Sequence, residues 1–319
     1  MFNSLEPLFA IIDLGSNSFH MLIVQHDPKE PNLAKAKVIT KIKRKVRLAS
    51  GLNTNGALNH AAMQRGLDCL NWFGDTLQEL RPDHCVAVAT ATLRLANNAA
   101  EFVTQGEQAL GYPIHIISGE QEANLIYQGA SSGSNDETKQ LVIDIGGAST
   151  EIILGQGNTV LALTSLNLGC VTWYEQFFGD KKINATRFKL AMSAAKKQLT
   201  TIKPAFLAQG WSLCFGASGT VQNIREILQA EGRELIITKA LLQELKQRMI
   251  RFQHIDNIDI EGLVEERAVV FPSGIAILLS IFEEFDIDSM QLARGALREG
   301  LLANLTRSAI NHSNMPIII

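Results

Sequence analysis

Two short segments of this chain carry the same pattern of Asp, Gly and Ser. The first Asp loop is residues 13–20 (DLGSNSFH), and the second Asp loop is residues 144–151 (DIGGASTE), which aligns with the first without a gap. Backbone N–H groups in turns rich in Gly and Ser can approach a phosphate closely, hydroxyls add donors, and the leading carboxylate can hold a cation. Hairpin turns favour Asp and Gly for conformational reasons too, but turn geometry does not require the same residues twice. The pair therefore predicts phosphate and metal binding.

A third glycine-bearing turn, residues 215–221 (FGASGTV), joins a strand to a helix whose first N–H groups could meet a phosphate or a nucleotide. The alternative is a plain tight turn capped by Thr220. Arg94 and Arg267 are candidate cations because an Arg fork matches phosphate oxygens, although surface ion pairs use Arg equally often. Arg267 is the candidate for contact with a nucleotide or other substrate. The predicted phosphate-binding residues are Asp13, Gly15, Ser16, Asn17, Ser18, Arg94, Gly146, Gly147, Ala148, Ser149, Gly216, Ser218 and Gly219.

Residues 117–123 (ISGEQEA) run from a strand end into a helix. Acidic residues are common in a first helical turn because they complement the helix dipole, and this explains Glu120 well. Glu122 could instead take a proton from a water that attacks a terminal phosphate. The residues alone leave both roles open for Glu122.

Several other chemistries lack their sequence signals. The four cysteines form no CxxC pair, so neither a zinc site nor a redox motif is indicated, and Cys170 has no His signature nearby that would favour a nucleophile. A Walker loop, an HExxH motif and a three-glycine dinucleotide motif are all absent. Residues 35–47 hold seven Lys or Arg and no acid, which could attract a polyanion or could protect a sheet edge.

The elements that must position these residues follow a repeated order. Each Asp loop lies between two apolar strands, which predicts a hairpin, and a third strand follows each hairpin. Helix and strand patterns then alternate in both halves, with helices predicted over 60–80, 98–110 and 119–130 in the first half. The repetition predicts duplicated α/β domains with mixed sheets flanked by helices. We expect a first domain at 1–125, which the segment 300–319 could complete, and a second domain at 126–300, with a cleft between them.

Bulk composition narrows the class of protein. The 319 residues carry a net charge of only −3, which gives no support to general binding of nucleic acid or anionic membranes. The N-terminus resembles no secretory signal, and the longest apolar run, residues 269–282, is too short to span a bilayer and predicts a buried helix. We therefore expect a cytoplasmic protein.

With these residues assembled, the chain resembles the exopolyphosphatase and guanosine pentaphosphate phosphohydrolase (Ppx/GppA) family, within the superfold of actin, sugar kinases and Hsp70. Residues 44–49, 146–151 and 169–173 look more like the guanosine pentaphosphate (GppA) branch than the exopolyphosphatase branch. The motifs that carry the resemblance are residues 12–20, 89–94, 117–119 with Glu122 and Ala123, 144–147, 216–220 and 295–300.

The resemblance implies two duplicated actin-like domains (RNase H-like, ASKHA superfold) with an interdomain cleft. It implies that Glu122 matches the family's catalytic glutamate, that Asp144 assists it and holds Mg²⁺, and that both Asp loops bind phosphates; Glu151 is the second candidate metal ligand. Two departures stand out. Gln121 occupies a position where many members have Glu, and we expect no C-terminal HD-type domain in this chain.

The leading hypothesis is a Mg²⁺-dependent phosphohydrolase that removes the terminal 5′ phosphate of guanosine pentaphosphate (pppGpp) to give guanosine tetraphosphate (ppGpp), with side activity on inorganic polyphosphate. The alternatives are an exopolyphosphatase, an ATP-dependent kinase on the same superfold, and a non-catalytic sensor of these nucleotides. The expected partner is the small-molecule substrate, and we expect binding to neither nucleic acid nor membranes. The sequence leaves open whether the protein forms a homodimer.

Overall fold

A computed structural model of the chain describes residues 6–30, 32–131 and 137–310, with the backbone alone at Ala34. The chain divides into two compact units. Within the described residues, the first unit comprises 6–30, 32–131 and 295–310, and the second comprises 137–294. Residues 132–136, near the start of the expected second domain, and residues 311–319 of the expected completing segment lie outside the described residues.

Eleven strands form two sheets in the described part of the chain. In chain order they are β1 (Leu8–Leu14), β2 (Ser18–Gln25), β3 (Lys37–Lys45), β4 (His84–Ala89), β5 (Ile114–Ile116), β6 (Lys139–Ile145), β7 (Thr150–Gln156), β8 (Thr159–Leu166), β9 (Leu213–Ala217), β10 (Ile237–Thr238) and β11 (Ser289–Leu292).

Eleven α-helices accompany these strands in the same described ranges. They are α1 (His60–Leu80), α2 (Ala91–Leu95), α3 (Ala99–Leu110), α4 (Gly119–Ser131), α5 (Cys170–Phe177), α6 (Ala185–Leu207), α7 (Ser218–Ala230), α8 (Lys239–Phe252), α9 (Glu265–Ala268), α10 (Phe271–Phe285) and α11 (Leu297–Ile310).

The two sheets have one topology. The first runs β3-β2-β1-β4-β5, and the second, read from its opposite edge, runs β8-β7-β6-β9-β11-β10. In each sheet the first three strands are antiparallel neighbours, and the next two pairs are parallel. Both sheets are therefore mixed and helix-flanked, which confirms the expected duplicated α/β fold class.

The duplication extends to an irregularity in pairing. The register of β2 with β3 shifts between Ile23 and Val24, and that of β7 with β8 shifts between Leu154 and Gly155. These shifts are 131 positions apart (154 − 23), as are the leading Asp residues of the two loops (144 − 13). Register irregularities of this kind are kept at equivalent positions in related structures. Their match here shows that the two hairpins have the same three-dimensional arrangement.

Local sequence explains the helices that we expected. Asn59 caps α1 by accepting a hydrogen bond from the N–H of Ala62, and Gly111 ends α3 with φ of 79°. The apolar run at 269–282 forms α10, of which thirteen of fifteen residues are buried, as predicted. The hydrophobic patterns of the sequence did not predict α2, α8, α9 or β10.

The unit boundaries differ from those expected at 125/126 and 300. Helix α4 crosses the first of these positions and packs as a whole against α11, with both helices in the first unit. Glycines permit this close packing: a Cβ on Gly300 would lie 1.9 Å from the carbonyl oxygen of Leu125, and one on Gly129 would lie 2.0 Å from that of Ala296. Close packing therefore extends the first unit through α4 and includes residues 295–299.

Candidate functional site

The first Asp loop turns between β1 and β2, and another segment holds its carbonyl groups. The N–H groups of Val46 and Arg47 donate to the carbonyl of Asn17, at 3.1 and 2.8 Å, and that of Ala49 donates to the carbonyl of Ser16 at 2.9 Å. Among the described residues, the N–H groups of 15–17 donate no hydrogen bond. Three consecutive free N–H groups are the donors that an anion-binding turn needs.

The second Asp loop has a similar arrangement that is displaced by one position, since Gly146, which matches Gly15, itself donates to the carbonyl of Ser149. The carbonyl of Gly146 accepts from the N–H of Cys170 at 2.9 Å, and the carbonyl of Gly147 accepts from Val171 at 2.8 Å. Gly169 makes the approach possible, because a Cβ there would lie 2.3 Å from the backbone of Ala148. Across the described ranges, the N–H groups of 147–149 are again left without an acceptor. Both loops are thus built to present N–H donors.

Strand pairing places further predicted residues beside each loop. In the first unit β1 lies parallel to β4, with Leu14 beside Ala89, and the N–H of Ile117 donates to the carbonyl of Ala89 at 3.0 Å. In the second unit β6 lies parallel to β9, with Asp144 beside Ala217. The carboxyl ends of parallel strands are where α/β sheets bind ligands. The segments 90–94 and 117–122 therefore lie beside the first loop, and the glycine turn lies beside the second.

Glu122 and Arg94 form an ion pair in the first unit. Arg94 Nη1 lies 2.6 Å from Glu122 Oε2 and also donates to the carbonyl of Ile117 at 3.0 Å. The Glu122 side chain is only 9% exposed, whereas Glu120, in the same helical turn, is exposed. Charge-assisted hydrogen bonds from a guanidinium fix the position of a buried carboxylate. Burial thus distinguishes Glu122 from a carboxylate that merely caps a helix.

The hydrogen bonds of Gln121 show why this position accepts Gln where many family members have Glu. Its Oε1 accepts from the backbone N–H of Ser118 at 2.7 Å, and Ser118 Oγ accepts from the backbone N–H of Gln121 at 3.1 Å. This reciprocal pair is a capping box, in which Gln and Glu serve equally. The substitution therefore preserves the start of α4 and the placement of Glu122.

The second Asp loop carries two buried carboxylates. Asp144 and Glu151 are 4% and 1% exposed and lie directly opposite each other in the β6–β7 ladder, so their side chains share one face. Ser165 Oγ donates to Glu151 Oε1 at 2.7 Å. Mg²⁺ prefers one or two carboxylates completed by water and substrate phosphates, so this all-oxygen pair fits it. No group of three or more His, Cys, Asp or Glu side chains suited to a metal occurs in the described residues.

The glycine turn begins α7 and contacts Arg267. Ser218 has φ of 65°, a conformation that is costly for a residue with a Cβ and is found preferentially at functional sites. Arg267 Nη1 donates to the carbonyl of Gly219 at 2.8 Å and to Asn223 Oδ1 at 3.1 Å. Thr220 does not cap the helix, whose N-cap is Ala217 without a side-chain hydrogen bond. In the part of the chain that the structure describes, the N–H groups that begin α7 are thus left for another acceptor.

Two residues near the loops were not singled out as site residues from the sequence. Arg298 lies in α11, and its Nη1 is 3.2 Å from Nδ1 of His20, the last residue of the first Asp loop. Asn223 contacts Arg267 from one turn into α7. The motif 295–300 contains Arg298, so the sequence held a signal, but no local pattern connects it with His20.

Cys170 lies at the back of the second Asp loop and is buried. Burial raises the pKa of its thiol to about 12, although the nearby Arg267 acts in the opposite direction. Ser273 Oγ donates to the Cys170 carbonyl at 2.6 Å. A thiol with this pKa stays protonated near neutral pH, so the structure agrees with a structural role.

Comparison with known proteins identifies the family. The model of the Ppx/GppA phosphatase family matches residues 22–309, which is most of the chain. The chain belongs to this family. A guanosine-5′-triphosphate,3′-diphosphate pyrophosphatase of Aliivibrio fischeri is 49% identical over 94% of this chain, and one of Vibrio cholerae is 50% identical over 95%. These relatives confirm the predicted GppA branch. The chain spans about three fifths of their length, since the matches cover 59% and 60% of them.

Solved structures of the family share the fold. An exopolyphosphatase from Cytophaga hutchinsonii superimposes with a TM-score of 0.84 at 22% identity, covering 94% of this chain and 98% of that one. The Aquifex aeolicus Ppx/GppA enzyme superimposes with a TM-score of 0.73 at 24% identity, covering 93% and 99%. Within the described residues, no helix is both long and apolar enough to cross a membrane.

Proposed function

We propose that this chain removes the terminal 5′ phosphate of pppGpp to give ppGpp, with water as the nucleophile and Glu122 as the general base. The observation that carries the proposal is the buried Glu122, held at 2.6 Å by Arg94 beside a loop with three free N–H groups. The names of the relatives at about half identity point to the same substrate.

Each part of the geometry has a chemical role in this proposal. The free N–H groups of the two Asp loops bind phosphate oxygens and stabilise the charge that develops on the leaving oxygen. Glu122 accepts the proton of the attacking water, and Arg94 fixes the carboxylate that does so. Arg267 and the first turn of α7 offer further anion contacts in the second unit.

We assign Asp144 and Glu151 as the carboxylates that hold Mg²⁺. When bound, Mg²⁺ neutralises phosphate charge and orients the oxygens for in-line displacement. The pair lies on one face of the hairpin, with a donor set that suits this ion. A cytoplasmic location and a homodimer stay predictions.

The test is Glu122→Gln, with Glu120→Gln as its matched control. Gln keeps the shape of Glu122 but accepts no proton, so we expect kcat for pppGpp to fall by about two to four orders of magnitude while KM changes little. Glu120 is an exposed carboxylate in the same helical turn, and its variant should match the parent. Parent-like phosphate release from Glu122→Gln would refute the assignment.

The same measurements separate the alternative functions. A sensor would bind pppGpp in calorimetry while the parent protein releases no phosphate, and a kinase would consume ATP only with a hydroxyl acceptor present. Inorganic polyphosphate is a second candidate substrate. Lys41, Lys43 and Lys45 alternate along the edge strand β3 and form a cationic row suited to a polyanion. Rates for pppGpp and long-chain polyphosphate, measured side by side, decide between the two substrates.

A further inference from the structure

The contact between Arg298 and His20 fixes the protonation of the imidazole. Arg298 Nη1 lies 3.2 Å from His20 Nδ1. A guanidinium carries only donors, so Nδ1 must accept, and it can accept only when it bears no proton. The proton of the neutral ring therefore lies on Nε2. Arg298 thus selects the Nε2–H tautomer of His20 and the orientation of the ring.

His20 occupies a defined place in the first Asp loop. It lies directly opposite Asp13 across the β1–β2 ladder and directly opposite Lys43 across the β2–β3 ladder. Side chains opposite each other in antiparallel strands share one face of the sheet. The cations of Lys43 and Arg298 therefore flank His20, beside the carboxylate of Asp13.

The second Asp loop has a carboxylate at the matching position. Glu151 lies opposite Asp144, as His20 lies opposite Asp13. The two carboxylates of the second loop attract a cation. The first loop combines one carboxylate with an imidazole and two cationic side chains, and this combination attracts an anion directly. The first loop is thus suited to phosphate without a metal.

We propose that Arg298 is a positioning residue for the first Asp loop. It holds His20 as the Nε2–H tautomer, so that the imidazole N–H donates a hydrogen bond to an anion on the sheet face that His20 shares with Asp13 and Lys43. The contribution is to substrate binding and not to proton transfer, which Glu122 performs. The expected effect on KM rests on the proposed function. The tautomer of His20 does not depend on whether the chain hydrolyses pppGpp.

The kinetic test compares variants of Arg298 with a control on the same helix. Arg298→Met removes the donor, and we expect KM for pppGpp to rise about tenfold with kcat changed less than about threefold. Arg298→Lys keeps a donor and should recover part of the loss. Arg307→Met is the control, because exposed Arg307 donates to Gln128 and Asn304 elsewhere on α11. Equal effects of Arg307→Met and Arg298→Met, or a loss confined to kcat, would overturn the proposal.

A double-mutant cycle tests whether Arg298 acts through His20. His20→Phe removes the ring nitrogens, so adding Arg298→Met to it should raise KM little further. His20→Gln retains an N–H near the position of Nε2 and should lie closer to the parent than His20→Phe. Fully additive effects in the cycle would show that Arg298 acts independently, and the proposal would then be wrong.

A spectroscopic measurement stands apart from catalysis. In a protein labelled with ¹⁵N-histidine, the His20 resonances, identified by their loss in His20→Gln, should show one protonated nitrogen at Nε2. In Arg298→Met they should shift towards an average of both tautomers. An unchanged tautomer in that variant would overturn the proposal. A parent that shows the tautomer but releases no phosphate would count against the proposed function alone.

Discussion

The two Asp loops share one backbone plan but differ in the side chain opposite the leading Asp. Both loops turn between antiparallel strands, and their carbonyl groups accept hydrogen bonds from a segment that follows the third strand. Within the described residues, three N–H groups of each loop have no acceptor. In the first loop the opposite residue is His20, in contact with Arg298. In the second loop it is Glu151, buried beside Asp144.

The difference shows how one duplicated scaffold acquires two electrostatic characters. The free N–H groups come from the backbone, so duplication preserves them in both loops. The charge comes from side chains, so we propose that a single exchange between His and Glu changes a loop from one that attracts phosphate directly to one that attracts a cation first. A triphosphate complexed with Mg²⁺ presents both kinds of group.

The largest expected effect comes from removing the leading carboxylate of the second loop. Asp144→Asn should lower kcat by about two to three orders of magnitude and raise the Mg²⁺ concentration that gives half-maximal rate, because half of the carboxylate pair is lost. Asp13→Asn, the matched change in the first loop, should cost about tenfold or less and leave the Mg²⁺ titration unchanged. Phosphate release titrated with Mg²⁺ measures both. Superimposable titrations of Asp144→Asn and the parent would exclude Asp144 as a metal ligand.

An intermediate effect should follow from giving the first loop the charge of the second. His20→Glu places a carboxylate opposite Asp13, and we expect KM for pppGpp to rise about tenfold because like charges repel the phosphates. His115→Glu is the control, since His115 is an exposed residue on the edge strand β5. If His20→Glu and His115→Glu have the same KM, the charge of the first loop does not select its ligand.

The smallest expected effect concerns the thiol behind the second loop. Burial raises the pKa of the Cys170 thiol to about 12, so the thiol is protonated throughout the range from pH 7 to 9. Cys170→Ala should therefore leave kcat within about twofold of the parent, with an identical pH profile from pH 7 to 9. A folded Cys170→Ala protein with a profile of different shape would show that the thiol takes part in the reaction.

Much of the architecture was readable because it is local. Apolar strands on both sides of a turn rich in Gly and Ser predicted both hairpins, and the helix patterns over 60–80 and 98–110 predicted α1 and α3. The short helix α2 and the edge strand β10 were not predicted, and the predicted domain boundaries differ from those of the two units. Strand β10 is two residues long and depends on pairing with β11, so propensity alone gives no signal.

The sequence by itself determined the repeated Asp loops, the fold class and the family, because turn chemistry and strand periodicity depend on neighbours in the chain. Only the tertiary structure decided which charges meet. It joined Arg298 to His20 across 278 positions, Arg94 to Glu122 across 28 and Arg267 to the turn at Gly219 across 48. Such pairs depend on the packing of α11, α4 and α9 within their units. No local pattern specifies that packing, which is set by glycine contacts and buried apolar faces far apart in sequence.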